Sequence, residues 1–229
     1  MIGIIGAMKI EVKKIIEKLS DKKSEFISGV EFVSGKFYNK DVVAAVSGVG
    51  KVNSAATTEA MILKYSPELI INTGVAGTLS EKLNIGDVAV SADVVEHDMD
   101  TSPLGDPKGF ISGIDVVKMQ ADNKTVSKLS EILSELNINY EIGTIASGDQ
   151  FINSAETKER IKNEFDAVCC EMEGASIGHV CTINKVPFCV LRAISDGADD
   201  SSHMSYKQFT ELAAENSVKV LDLFFSKLK

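Results

Sequence analysis

The chain has 229 residues, 44% hydrophobic and 25% charged, an ordinary globular composition with apolar material for one fairly large domain rather than two small ones. Its 33 acidic against 24 basic side chains give a formal charge of -9, and the arginines are Arg160 and Arg192 alone, which argues against a broad nucleic-acid or anionic-membrane surface. No apolar run approaches the roughly 18 residues of a membrane helix, and Lys9, Glu11, Lys13, Lys14 and Glu17 interrupt any signal-peptide core.

Met1 to Ala7 reads as a short buried strand, and from Met8 the spacing Met8, Val12, Ile15, Ile16, Leu19 predicts a one-faced helix. Glu31 to Tyr38 and Val42 to Ser47 flank Asn39-Lys40 as a hairpin. The turn Ser47-Gly48-Val49-Gly50-Lys51 then leads into a helix over Val52 to Lys64 that stops near Ser66-Pro67. Leu69 to Asn72 and Asp87 to Val95 read as strands, and Thr101 to Gly113, rich in proline and glycine, as a long irregular loop. Val126 to Leu136 is expected to be helix, Tyr140 to Ala146 strand, Glu156 to Asn163 helix, Ala167 to Cys170 strand, a helix starts near Glu173, and Pro187 to Ala193 is strand. In the tail, Tyr206 through Leu228, a broad helical face carries Phe209, Leu212, Ala213, Val220, Leu221 and Phe224.

This alternation predicts an α/β fold: a single domain over 1–229 with a central mixed, twisted sheet flanked by helices. Repeats, low-complexity tracts and linkers are absent from the sequence. Cys169, Cys170, Cys181 and Cys189 lack metal-finger spacing and read as reduced core residues of a cytoplasmic protein.

Glycine segments raise the question of a nucleotide site. Gly3-Ile4-Ile5-Gly6 has Met8 where a third glycine would stand, and Ser47 to Lys51 lacks P-loop spacing, so Lys51 is not automatically a phosphate ligand. Thr73-Gly74-Val75-Ala76-Gly77 points more to close backbone approach of a polar ligand at a strand end. Among the acids, Glu11 sits beside the apolar stripe of the first helix and by position alone reads as an exposed helix residue, with a catalytic base as the alternative. Glu171 and Glu173 would face opposite ways in an extended segment, which implies different jobs, capping or pairing among them. A hydrophobic strand delivers Ser195 and Asp196 to a small-residue loop, a common place for an α/β active site, although Ser195, Asp196 or Asp199 could equally cap a helix. His97, His179 and His203 are expected in hydrogen-bonding structural roles; no metal site is expected, and no G-x-S-x-G elbow occurs.

An ordered series of segments runs over essentially the full chain: Gly3-Ile4-Ile5-Gly6-Ala7-Met8 followed by Glu11, Ser47-Gly48-Val49-Gly50-Lys51, Asn72 to Gly77, Ser147-Gly148-Asp149-Gln150-Phe151-Ile152, Glu171-Met172-Glu173-Gly174-Ala175, and Arg192-Ala193-Ile194-Ser195-Asp196. In these the chain resembles the bacterial 5′-methylthioadenosine/S-adenosylhomocysteine nucleosidases, within the purine nucleoside phosphorylase-like family. The resemblance implies hydrolysis of the N9–C1′ bond of 5′-methylthioadenosine, S-adenosylhomocysteine and also 5′-deoxyadenosine, with Asp196 as general acid toward adenine N7, Glu11 activating water and Glu173 holding the ribose hydroxyls. It places Phe151 and Ile152 at adenine, Met172 near ribose, and Met8, Val49 and Tyr206 around the ribose and 5′-substituent. Ala76, Gly77 and Ser195 complete the implied substrate-binding set, and Arg192 supports its polar framework. It further implies a homodimer in which the loop carrying Pro103, Pro107 and Phe110 closes the partner's 5′-substituent site, and no cofactor.

The sequence departs from the family pattern at several points. Met8-Lys9-Ile10-Glu11 lacks an acidic run, Val75 stands where a small hydroxyl residue is usual, Gly197 replaces a branched aliphatic residue, and the Thr101 to Ile114 loop diverges, which bears on the 5′-group. A phosphate-dependent phosphorylase is the enzymatic alternative, disfavoured by the scarcity of arginine for anchoring phosphate. A non-catalytic nucleoside sensor is the other, and it would not need all three carboxylates.

Overall fold

The computed structural model describes residues 1–196 and 215–228. The chain opens with β1 (Ile2–Gly6), α1 (Lys9–Lys18), β2 (Ser20–Ile27), β3 (Val30–Phe37), β4 (Lys40–Val46) and α2 (Lys51–Tyr65). It continues with β5 (Leu69–Thr78), β6 (Val88–Glu96), β7 (Met119–Gln120), α3 (Asn123–Glu135) and β8 (Tyr140–Ser147). α4 (Ala155–Phe165), β9 (Ala167–Glu171), α5 (Gly174–Asn184) and β10 (Phe188–Asp196) follow, and residues 215–226 form a last helical stretch, α6.

These strands make one mixed sheet in the order β10-β6-β8-β9-β5-β1-β4-β3-β2. Because β10 also pairs with β5 in parallel, strands β5, β9, β8, β6 and β10 close on themselves, and β1, β4, β3 and β2 extend from β5 as an open wing. All ten residues of β5 and all nine of β10 are buried, as expected of strands covered on both faces. Gly3 and Gly6 lie on opposite faces of β1: a Cβ on Gly3 would overlap Met61 of α2, whereas one on Gly6 would sit 2.9 Å from Val12 of α1. Helices therefore approach the sheet from both sides. α1 contributes buried Val12 and Ile15 to the core, each such aliphatic side chain stabilising the fold by about 1.5–3 kcal/mol relative to exposure. A smaller cluster, including Ile152, Ile161, Phe165 and Cys170, packs between α4 and the closed ring.

Helix ends follow local chemistry. Asp122 accepts from the Thr125 amide at 2.8 Å to start α3, Ser154 accepts from Thr157 at 3.3 Å to start α4, and Ser66, in the left-handed region ahead of Pro67, stops α2. The irregular stretch over 101–113 holds only a 3-10 turn at Ser102–Leu104 and an isolated bridge between Ile111 and Val116.

Two readings of the sequence change. Residues 20–27 form an additional edge strand, and Thr73 to Gly77 continue β5 to Thr78 rather than leaving it at Asn72, because Gly74 and Gly77 let other groups press against an unbroken strand. All four cysteines are buried free thiols. In the tail Val220, Leu221 and Phe224 are buried as the helical face required, while Tyr206, Phe209, Leu212 and Ala213 lie outside the described residues, as do Gly197, Asp199 and His203. Among the described residues no helix is long and apolar enough to cross a membrane.

Candidate active site

The ends of β1, β5, β9 and β10 and the loop after β8 meet around a cavity of about 550 Å³ including its open mouth. Glu11, Glu173 and Asp196 all line it, together with Met8, Val49, Ala76, Gly77, Phe151, Ile152, Met172 and Ser195. Phe151 and Val49, each about half exposed (47% and 48%), stand at the rim, whereas Ile152 is buried. Tyr206 lies outside the described residues. Pro103, Pro107 and Phe110 do not line the cavity; the two prolines are exposed and Phe110 is half-buried.

Glu11 corrects its reading by position: it is buried, at 2% exposure, in the first turn of α1. One carboxylate oxygen accepts from the Met8 amide at 2.8 Å and the other from the Val75 amide of β5 at 3.2 Å, while an Arg192 nitrogen lies 4.0 Å away. Gly74 makes this approach feasible, since a Cβ there would overlap Arg192 and come within 2.5 Å of Glu11 Oε1. Burial outweighs the arginine and the backbone donors and raises the Glu11 pKa.

Glu171 and Glu173 do have separate jobs. Glu171 is saturated from all sides: Arg192 and Ser147 Oγ donate to it in short contacts, and the Glu173 and Gly174 amides donate at 3.1 and 2.8 Å. It fixes the turn between β9 and α5. Glu173, at the N-cap position of α5, accepts from the Gly50 amide at 2.8 Å and lies 3.4 Å from Arg192. Burial pushes its pKa up to about 7, Arg192 opposing and the charges of Glu171 and Glu11 assisting.

Arg192 is the hub of the floor. It is 1% exposed, its guanidinium reaches Glu11, Glu171 and Glu173, and it donates to Asn72 Oδ1 at 2.6 Å. Asn72 in turn donates to the Ile5 carbonyl at 2.9 Å, which ties the cluster to β1. Across the cavity Asp196 ends β10, buried at 3% exposure, with Ser195 Oγ donating to Oδ1 at 3.0 Å. A Cβ on Gly77 would stand 2.8 Å from Asp196 Oδ2, so the glycine opens the space the carboxyl occupies. Burial raises the Asp196 pKa, against the Ser195 hydrogen bond and Lys158, whose Nζ lies 3.8 Å from Oδ2.

The rim is braced by a second polar group. Asp149 accepts from the Lys51 amide at 2.8 Å and its own amide donates to Asp98 Oδ2 at 2.9 Å, while Lys51 Nζ bridges Asp98 at 2.6 Å and Glu96 at 3.0 Å. Lys51 is thus committed to two carboxylates, in keeping with the absence of P-loop spacing. His179 meets its expected role by pairing with Glu96 at 2.9 Å. His97 does not: it is buried against Gly148, and both ring nitrogens are without a hydrogen-bond partner among the described residues. The cavity also includes Cys170 of β9, whose cysteine spacing alone points only to the core.

The family profile described as the phosphorylase superfamily matches residues 1–226. A 5′-methylthioadenosine/S-adenosylhomocysteine nucleosidase of Staphylococcus aureus (strain JH9) is 40% identical over 229 residues, the whole of both chains. Among solved structures, a mutant of Helicobacter pylori MTAN with 5′-methylthioadenosine in its active site superposes with a TM-score of 0.95 at 39% identity, covering 99% of this chain and 98% of that one. A futalosine hydrolase of Helicobacter pylori strain 26695 gives 0.94 at 39% identity, over 99% and 97%. With this agreement over full length in sequence and backbone, the chain belongs to the 5′-methylthioadenosine/S-adenosylhomocysteine nucleosidases of the phosphorylase superfamily.

Proposed function

We propose that this cavity is where the chain hydrolyses the N-ribosidic bond of 5′-methylthioadenosine and S-adenosylhomocysteine, with Asp196 as general acid and Glu11 as the base for water. The observation that carries the reading is the division of the buried carboxyls: among the described residues Asp196 sits with Ser195 and Lys158 at one end, and Glu11 and Glu173 share Arg192 at the other. As the N9–C1′ bond breaks, its electron pair goes to adenine and the proton on the Asp196 carboxyl goes to N7, so the base leaves neutral. The ribose gains positive character, which the carboxylates opposite offset. Water bonds to C1′ and gives its proton to Glu11, whose raised pKa makes it a better base than an ordinary glutamate. Glu173, held by the Gly50 amide and Arg192, orients the ribose hydroxyls.

Ile152, Phe151, Ala76 and Gly77 form the walls for adenine beside Asp196 and Ser195, and Met8, Val49 and Met172 those for ribose and the 5′-group. The apolar rim at Val49 suits a thioether and equally the 5′-methyl of 5′-deoxyadenosine. The profile match over 1–226 supports one domain spanning 1–229. A homodimer in which Pro103, Pro107 and Phe110 border the partner's 5′-substituent is carried over from the family resemblance; the two prolines are exposed and Phe110 is half-buried.

Incubation of the purified chain with 5′-methylthioadenosine, with and without phosphate, tests the reaction. Adenine and 5-methylthioribose are expected at equal rates in both, because Arg192, which lines the cavity, is already committed to carboxylates. A phosphate-dependent sugar 1-phosphate would make the chain a phosphorylase instead. Gly77→Ala provides a geometric test: its methyl must displace the Asp196 carboxyl, so kcat falls roughly 10–100-fold with KM little changed. An unaltered kcat in that variant would separate Asp196 from the chemistry.

A further inference from the structure

α4 turns residues 158, 161 and 165 inward, and two of the three are the apolar Ile161 and Phe165 of the cluster beneath it. The remaining slot holds Lys158, 4% exposed, on a helix whose Glu156, Glu159 and Arg160 all face solvent. A lysine ammonium withdrawn from water at an apolar position is costly unless an anion faces it. Among the described residues an anion it faces is Asp196, at 3.8 Å from Oδ2 and itself buried. Among the described residues, the other groups around that carboxyl are Ser195 on its own strand, and Cys170 and Cys169 on β9, whose thiols are held up in pKa by burial and carry no charge at neutral pH.

We propose that Lys158 is a positioning residue that acts through Asp196, its ammonium stabilising the carboxylate that Asp196 becomes when its proton has passed to the leaving base. This rests on the role assigned to Asp196 above. Before the transfer Asp196 is a neutral acid beside a cation; after it, the two form an ion pair away from bulk water, where such attraction is strongest. Lys158 therefore favours the product side of the proton transfer. Burial works the other way and raises the Asp196 pKa, favouring the protonated form that the acid needs before the transfer.

The sign of the effect on pH dependence follows. Removing the ammonium makes Asp196 a weaker acid, so it stays protonated to higher pH but gives up its proton less readily. In single-turnover assays on 5′-methylthioadenosine, Lys158→Met is expected to shift the alkaline limb of the rate profile up by about one pH unit and to lower the acid plateau roughly three- to tenfold. Lys158→Arg, which keeps the charge, is expected to keep the limb near its wild-type position. In an Asp196→Asn background Lys158→Met is expected to change the rate no further, since its effect passes through the acid. Circular dichroism and thermal unfolding check the fold, and Lys158→Gln replaces Met in the same series if the Met variant does not fold. An unmoved limb in a folded, uncharged variant, or the same rate loss repeated in the Asn background, overturns the role of Lys158 alone. Normal turnover in Asp196→Asn overturns the role of Asp196 and this inference with it.

Discussion

Asp196→Asn is expected to lower kcat on 5′-methylthioadenosine by about 10²–10⁴-fold while KM and the unfolding midpoint change little. An aspartic acid with an ordinary pKa of about 3.9 would be protonated in roughly 0.1% of molecules at pH 7. Burial at the end of β10 raises that fraction, each unit of pKa multiplying it tenfold, against the hydrogen bond from Ser195 and the nearby Lys158. Asparagine has the same shape, its carbonyl still accepts from Ser195, and its amide could still meet adenine N7 with a hydrogen bond. It has no proton to give, so ground-state binding survives and the leaving group departs unassisted. The residual rate should also lose the alkaline limb that the wild type shows as Asp196 deprotonates. Stopped-time chromatography of adenine across pH reads both quantities, and near-normal turnover at neutral pH would remove Asp196 as the acid.

The strands and helices that build this site were legible because each is locally patterned: the apolar run of β1, the 3.6-residue stripe of α1 and the hydrophobic run from Pro187 to Ala193 all appear where the periodicity put them, β10 continuing three residues further to Asp196. β2 was not, since seven of its eight residues are exposed and Ser20 to Glu25 carry no apolar alternation; its partner β3 supplies the pairing. Closure of the ring through β10 and β5 is a long-range pairing with no local signature. Glu11 was misread by position for the same reason. Its environment is made by Gly74 and Arg192, which come from far along the chain, and the stripe of its own helix says nothing of them. Resemblance to a family located the three carboxylates, whereas the exclusive tie of Glu171 to Ser147, Arg192 and the α5 amides needed coordinates. Lys158 did have a signal in the sequence: it shares the i, i+3, i+7 face of Ile161 and Phe165, and a charged residue in such a stripe asks for a buried partner.

Arg192→Met is expected to cost more stability than any other single change in the cavity, about 3–5 kcal/mol at neutral pH. Methionine fills much of the same length but leaves Glu11, Glu171 and Glu173 buried without their shared cation and Asn72 without its donor. Glu11 and Glu173, already raised by burial, lose the cation that opposed that rise, so their folded pKa values move further above the unfolded value of about 4.3. Acids with raised folded pKa values contribute fully below the unfolded pKa and lose that contribution as pH rises through the folded values. Glu173 already behaves this way in the wild type, burial having brought it to about 7. The deficit of the variant should therefore be smallest near pH 4 and grow toward neutrality, a trend visible as a widening gap between the urea unfolding midpoints of the two proteins. A gap independent of pH would mean that Arg192 contributes packing alone. Activity should fall with it at every pH, because Glu11 held as an acid has no lone pair charge with which to take the proton of water.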